Sequence, residues 1–383
     1  MSSNNNAGDE RNVLCVMPTA LGGSVCVLPE VRLLAKEYGH PVDVLVRRRQ
    51  YIDLFVRAGD INKCYYLPHW NIPFWLSWTK LRTGLEIRRN RYEHIYLYSL
   101  PERKNWEKFR RFLHRCGVDP KTIVMEYHFC RTPEQMRHRR FPGAEELATP
   151  LLVVKPDDRL AVEKRLADEL AWRGEPVVLM HPGFSLMASG KAVDKAKFDK
   201  WWPEENWRRV AVAIRERLPD SVIIFSGSGM EGRTTKEIAK LLGGREKRFV
   251  DWAGSLSLGQ LIALQSLAHS CVSIDTGAAH TAMAVGCPIV VLYGNLDPRS
   301  MGRCSPKSRG PVSTVRGFTE WDDVEKNPVP WLQQVTPGKV IEAWEALTGR
   351  YDAGVVNTMV THFREGGGAP EIRPVFYESL AVP

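Results

Sequence analysis

Nowhere in the 383-residue chain does an apolar run approach the roughly 18 residues that a membrane helix needs, which excludes a helical span. The opening stretch, Met1 to Arg11, is polar and lacks a basic start followed by an apolar segment. Nothing there marks the chain for secretion, and the cytoplasm is the expected compartment. The cysteines, at positions 15, 26, 64, 116, 130, 271, 287 and 304, include no short paired spacing of the zinc or redox type. They read as reduced core thiols. What is present is ordinary globular material, 44% hydrophobic and 25% charged. That is too apolar for disorder and too long for one comfortable core, so two domains are expected.

The net charge of +9 is unevenly spread. Residues 82–140 hold 15 Lys and Arg against 7 Asp and Glu, while the second half of the chain is nearly neutral. Two readings stand for this excess. One is an anionic partner, such as a phosphorylated acceptor, a lipid head group or nucleic acid, and the other is a solvated helix surface rich in Arg. No nucleic-acid recognition motif accompanies the charge, so no nucleic-acid partner is expected, and membrane contact is expected to be peripheral at most.

Short β-branched runs alternate with longer amphipathic stretches almost throughout. Val13–Met17, Val42–Val46 and His94–Leu97 read as buried strands, with Val31–Tyr38 and Trp106–Cys116 as helices between them. In the second half Val177–His181, Ser221–Phe225, Cys271–Ile274 and Ile289–Tyr293 read as strands. Glu204–Leu218, Glu231–Leu242, Leu258–Ala268 and Ala278–Val285 read as helices. Such alternation implies an α/β protein of two doubly wound parallel sheets with helices on both faces. The expected division is 1–155, 156–335, a helix over 336–348 opened by Thr336-Pro337, and an irregular tail over 349–383.

Ligands of open α/β sheets sit at the carboxyl ends of strands, where helix N-termini offer unpaired N–H groups and the positive end of the macrodipole. The clearest instance is Asp275-Thr276-Gly277, directly between a strand and a helix, with His280 one turn on. Thr276 and Gly277 offer a hydroxyl and amides to a diphosphate; the plainer alternative is a helix cap. His181-Pro182-Gly183 also follows a strand. Lys200 precedes the helix at Glu204, and Ser226-Gly227-Ser228-Gly229-Met230-Glu231 ends another strand with a carboxylate able to accept from ribose hydroxyls. Together these strand ends converge on one polar pocket.

The ordered set His181-Pro-Gly183, Lys200-x-Trp202-Pro203-Glu-Glu-x-Trp207, Gly227-x-Gly229-x-Glu231, Asp251-x-Ala-Gly254-x-Leu256-Ser-Leu258, Asp275-Thr-Gly-x-x-His280, Leu292-Tyr-Gly294 and Asp297-Pro298 resembles the family 9 heptosyltransferases. The resemblance implies a GT-B fold, two Rossmann-like domains facing a cleft, with the 336–348 helix returning toward the first domain. It also implies inverting transfer of heptose or a related sugar from an ADP-sugar to an acceptor hydroxyl. The implied donor residues are His181, Gly183, Ser185, Lys200, Gly229, Glu231, Leu256, Asp275, Thr276, Gly277 and His280, with Lys200 on the diphosphate, Glu231 on the ribose and Leu256 against the base. The chain has no Asp-x-Asp, in keeping with transfer that needs no metal or other cofactor.

The first half departs from that pattern. Gly22, Gly23 and Ser24 form the expected acceptor-side loop, yet Gly23 stands where the family carries the Asp that serves as general base, and glycine cannot take a proton. Substitute bases are Glu102, preferred because its strand end should face the cleft, and Glu126 or His128. The changed motifs imply an acceptor other than standard inner-core lipopolysaccharide: a glycan, a small metabolite or a protein side chain. The catalytically silent alternative is a sugar-nucleotide binder that has lost its base. Phe184–Asp199, with Lys191, Lys195 and Lys197, reads either as a flap over the diphosphate or as a surface insertion. Trp70, Trp75 and Trp78 read either as a stacking surface or as core.

Overall fold

The computed structural model describes residues 12–17, 20–58, 60–67, 76–98, 103–126, 151–183, 198, 200–243, 248–294, 310–317 and 331–348. Glu102, His128, Ser185, the lysines at 191, 195 and 197, Trp70, Trp75 and the tail over 349–383 lie outside them.

In the first domain the order is β1 (Val13–Val16), α1 (Leu21–Tyr38), β2 (Val42–Val46), α2 (Ile52–Val56), β3 (Ile61–Tyr66), α3 (Trp78–Arg89), β4 (His94–Tyr98), α4 (Arg103–Arg115) and β5 (Ile123–Glu126). The second has α5 (Pro156–Leu170), β6 (Val177–His181), α6 (Glu204–Arg217), β7 (Val222–Phe225), α7 (Gly232–Leu241), β8 (Phe249–Asp251), α8 (Leu258–Leu267), β9 (Ser270–Ile274), α9 (Gly277–Ala284), β10 (Ile289–Tyr293), β11 (Val312–Arg316) and α10 (Pro337–Thr348). Among the described residues the sheets run β3-β2-β1-β4-β5 and β11-β10-β9-β6-β7-β8, and every pairing is parallel. Central strands such as β1, β2, β6 and β9 are buried along their whole length, as strands covered on both faces must be. In each sheet the winding direction reverses beside the first strand, between β1 and β4 and between β6 and β9. Those two crevices are where a ligand fits.

α1 begins ten residues before the expected start at Val31. Gly22, Gly23 and Ser24 are therefore the first turn of a helix and not an acceptor-side loop. Pro29 stands inside this helix and removes only the N–H that would bond Val25. Gly39, at φ 76°, then ends it in the left-handed region.

Thr336 Oγ1 accepts from Lys339 N at 3.4 Å, so the expected cap forms. Among the described residues the C-terminal helix α10 packs on α6, β10 and β11 of the second domain. Trp344 donates to Ser270 Oγ at 2.9 Å, and Arg217 pairs with Glu345.

The two domains share a seam. α1 lies along α9, and the apolar cluster beneath α1 and α2 takes in Leu152, Ile262 and Ala284 from across it. Arg57, buried at the end of α2, donates to Asp53 at 2.8 Å and pairs with Asp158 of α5, while Lys155 reaches Asp53 at 2.7 Å. Gly259 of α8 leaves room for this cluster, since a Cβ there would overlap both Arg57 and Asp158.

Candidate functional site

β6 occupies the middle of the second sheet, so the turns after it, after β7 and after β9 open at one edge. That adjacency brings the separated motifs together. Gly183, two residues beyond β6, is close enough to Glu231 that a Cβ would lie 2.6 Å from the glutamate Cβ. Glu231 Oε2 accepts from Ser228 N at 2.6 Å, which folds the turn after β7 around the carboxylate. Gly254, at φ 79°, lets the turn after β8 touch Gly229 backbone to backbone, and its N–H bonds Gly227 O at 2.8 Å. Leu256, four residues past Trp252, is partly buried against the cluster beneath α5 and α8. His181 pairs with Ser226 Oγ at 3.1 Å; burial lowers its pKa against the pull of Glu231, so its ring is neutral.

Lys200 is placed by aromatic packing. Trp202, two residues on, donates to Val335 O at 2.8 Å and meets Trp207 edge-on with centroids 5.0 Å apart. From this anchor Lys200 Nζ reaches Asp275 Oδ2 at 2.8 Å and Asp275 O at 2.6 Å. The Asp275 side chain is 5% exposed and that of Lys200 30%, so the lysine keeps a side toward solvent.

The other carboxylate oxygen, Oδ1, faces His280 Nε2 at 3.7 Å, and His280 Nδ1 faces Cys26 Sγ of α1 at 3.6 Å. Burial opposes charge on Asp275, but His280 and Lys200 outweigh it and hold the carboxyl well below the usual carboxylate range. Burial likewise opposes charge on His280, yet Cys26 and Asp275 push its pKa up to about 10. The imidazole is therefore protonated at neutral pH. Tyr293, buried at the end of β10, is kept neutral by burial and by Asp275 and Cys26.

The plainer alternative at β9, a side-chain helix cap, does not form. Thr276 occupies the N-cap position of α9, but its side chain caps no amide. Its Oγ1 is buried without a hydrogen-bond partner. Asp275 is turned to Lys200 and His280. The α9 N-terminus thus presents amides without a side-chain cap beside the Lys200 cation.

The contribution of α1 was not foreseen. Gly22 carries no side chain because His280 fills its place, a Cβ there lying 2.7 Å from the imidazole Cδ2. A Cβ on Gly277 would likewise lie 2.7 Å from Leu21 Cβ. Cys26, one turn past Gly22, comes to the site with it, a spacing that is visible only once α1 is known to start at Leu21. On the first sheet, Arg47 follows β2 and its pKa is lowered to about 10 by burial and by Arg48. The buried Lys80 is lowered by burial and by Arg47, so two cations crowd that strand end.

The family model for glycosyltransferase family 9 (heptosyltransferase) matches residues 175–319. The lipooligosaccharide heptosyltransferase 2 of Haemophilus influenzae is 26% identical over 272 residues, 67% of this chain and 75% of that protein. The solved ADP-heptose lps heptosyltransferase II of E. coli superposes with a TM-score of 0.63 at 18% identity, covering 88% of this chain and 99% of that one. A family 9 glycosyl transferase from Veillonella parvula gives 0.70 at 14% identity, covering 90% and 99%. These structures share the two-domain GT-B fold. Among the described residues no helix is long and apolar enough to cross a membrane.

Proposed function

From the premise that this chain is a heptosyltransferase-like glycosyltransferase of family 9, we infer that its second domain holds an ADP-sugar, heptose or a close relative. The sugar passes with inversion to the hydroxyl of an acceptor held against the first domain. The observation that carries this reading is Asp275 fixed between Lys200 and His280, beside α9 amides that no side chain caps.

In this reading the acceptor oxygen bonds to the anomeric carbon as the bond from that carbon to the diphosphate breaks. ADP leaves with the added negative charge. Lys200 rotates from Asp275 onto the diphosphate, and the Gly277 amide with the α9 dipole covers the remaining charge, so transfer needs no metal or other cofactor. Glu231 keeps Oε1 for a ribose hydroxyl, with His181, Gly183 and Gly229 shaping the turn around it and Leu256 lying against the base. The crowding of Arg47 and Lys80 suits an acceptor that carries an anionic group. The base is neither Gly23, which has no side chain, nor His280, which already holds its proton. Glu102 takes the role, four residues along the sequence from β4, the strand that borders the crevice of the first sheet. The rival reading, donor binding without transfer, is favoured by Gly23 alone.

Calorimetric titration with ADP tests the pocket. Lys200→Ala should weaken binding about ten- to a hundredfold, the worth of a charged hydrogen bond, and unchanged affinity would remove the assignment. ADP release from ADP-heptose in excess EDTA, with host-cell extract as acceptor source, separates the two readings. Glu102→Gln should abolish release and spare ADP binding, whereas no release from the unaltered protein would leave only a binder.

A further inference from the structure

One helical layer of the first domain faces away from the second. α1 and α2 cover the side of the sheet that meets the second domain. α3 and α4 cover the opposite side through Ile87, Phe109, Phe112 and Leu113. Arg88 lies against Gly117, just beyond α4, so the two helices end side by side.

Along the outward side of α3, Trp78, Arg82, Leu85 and Arg89 follow at spacings of four, three and four residues, which makes one continuous stripe. Trp78 is 78% exposed, Leu85 44%, and Leu76, just ahead of the helix, 69%. Glu86 is the sole carboxylate of α3 and is shared by Arg82 and Lys63. Among the described residues no carboxylate lies within ion-pair distance of Arg88, Arg89, Arg110 or Arg115, and all four are exposed.

Cations alone would suit any polyanion. Here they are interleaved with large apolar side chains standing in water, which nucleic-acid phosphates would leave without a partner. An anionic bilayer takes both, because tryptophan rests at the level of the head groups, arginines pair with lipid phosphates and leucines enter the acyl boundary. We propose that the outer face of α3 and α4 docks the protein on an anionic phospholipid surface, leaving the interdomain side of the first sheet turned away from the lipid. This does not depend on the donor assignment.

The full chain should sediment with vesicles of equimolar phosphatidylcholine and phosphatidylglycerol, not with phosphatidylcholine alone, and added salt should release it. Combined Arg88→Glu, Arg89→Glu and Arg110→Glu should weaken binding at least about tenfold. Trp78→Ser with Leu85→Ser should weaken it comparably although every charge is kept, and Lys339→Glu on the second domain should leave it intact. All the changed side chains are exposed, and circular dichroism would verify that each variant is folded. Failure to sediment with the anionic vesicles, full binding by either multiple variant, or tighter binding to a duplex oligonucleotide than to the vesicles would overturn the proposal.

Discussion

His280 holds its proton because Cys26 and Asp275 surround it, and the sign of the resulting pH dependence follows. Its pKa rises from 6.5 to about 10 on folding, so the stability it contributes is complete below about pH 6.5 and drains away as the pH climbs toward 10. Asp275 is depressed from 3.8, so its contribution holds above that value and is lost in acid. The pair therefore works at full strength between these limits. In urea titrations, His280→Gln should fall furthest short of the parent at about pH 6 and approach it at about pH 10. A deficit that stays constant across that interval would mean that the imidazolium is not what holds Asp275. Asp275 is also buried, so removing it costs stability as well as ligand affinity and is a poor probe of donor binding alone. The partly exposed Lys200 is the cleaner site to change.

At the scale of elements, α10 supports the lysine from within the second domain. Trp344 is buried among α6, β9 and β10 side chains, and Val335, just ahead of the helix, accepts the bond from Trp202 that anchors Lys200. Trp344→Ala should cost about 3–5 kcal/mol by leaving a cavity, with Ser270 Oγ left to His269 alone, and should weaken ADP binding in the same step. A denaturation midpoint unchanged from the parent would contradict this placement. Much of the second domain could be read beforehand because its central strands are short buried runs rich in Val and Ile and the candidate donor residues follow them in sequence. The edge strands β3 and β11 were missed for the opposite reason, since Ile61–Tyr66 carries Asn62 and Lys63 and Val312–Arg316 carries Ser313 and Thr314. The first half of α1 was hidden by two adjacent glycines and an internal proline, residues that ordinarily argue against a helix. With it went Cys26 and the packing of Gly22 on His280, because contacts between distant helices leave no periodicity in either one.

Across the whole molecule, Arg57 is the buried link between α2, the 151–155 segment and α5. Its guanidinium meets Asp53, Asp158 and the Val153 carbonyl at 3.4 Å, and an apolar cluster continues across the same seam. The two sheets should consequently melt together in scanning calorimetry. Arg57→Ala should lower stability by about 3–5 kcal/mol, the cost of stranding buried partners, and split the single transition into two. One transition in the variant, at the parent's temperature, would show that the seam does not couple the sheets. The fit of Gly22 to His280 and of Gly277 to Leu21 also bears on recombination among relatives. A donor half grafted from another protein at the segment before Pro156 would arrive without the helix turn against which its own histidine is shaped. The exchangeable unit is therefore discontinuous: residues 156–348 together with the first two turns of α1, and chimeras that carry both pieces should express where simple fusions fail.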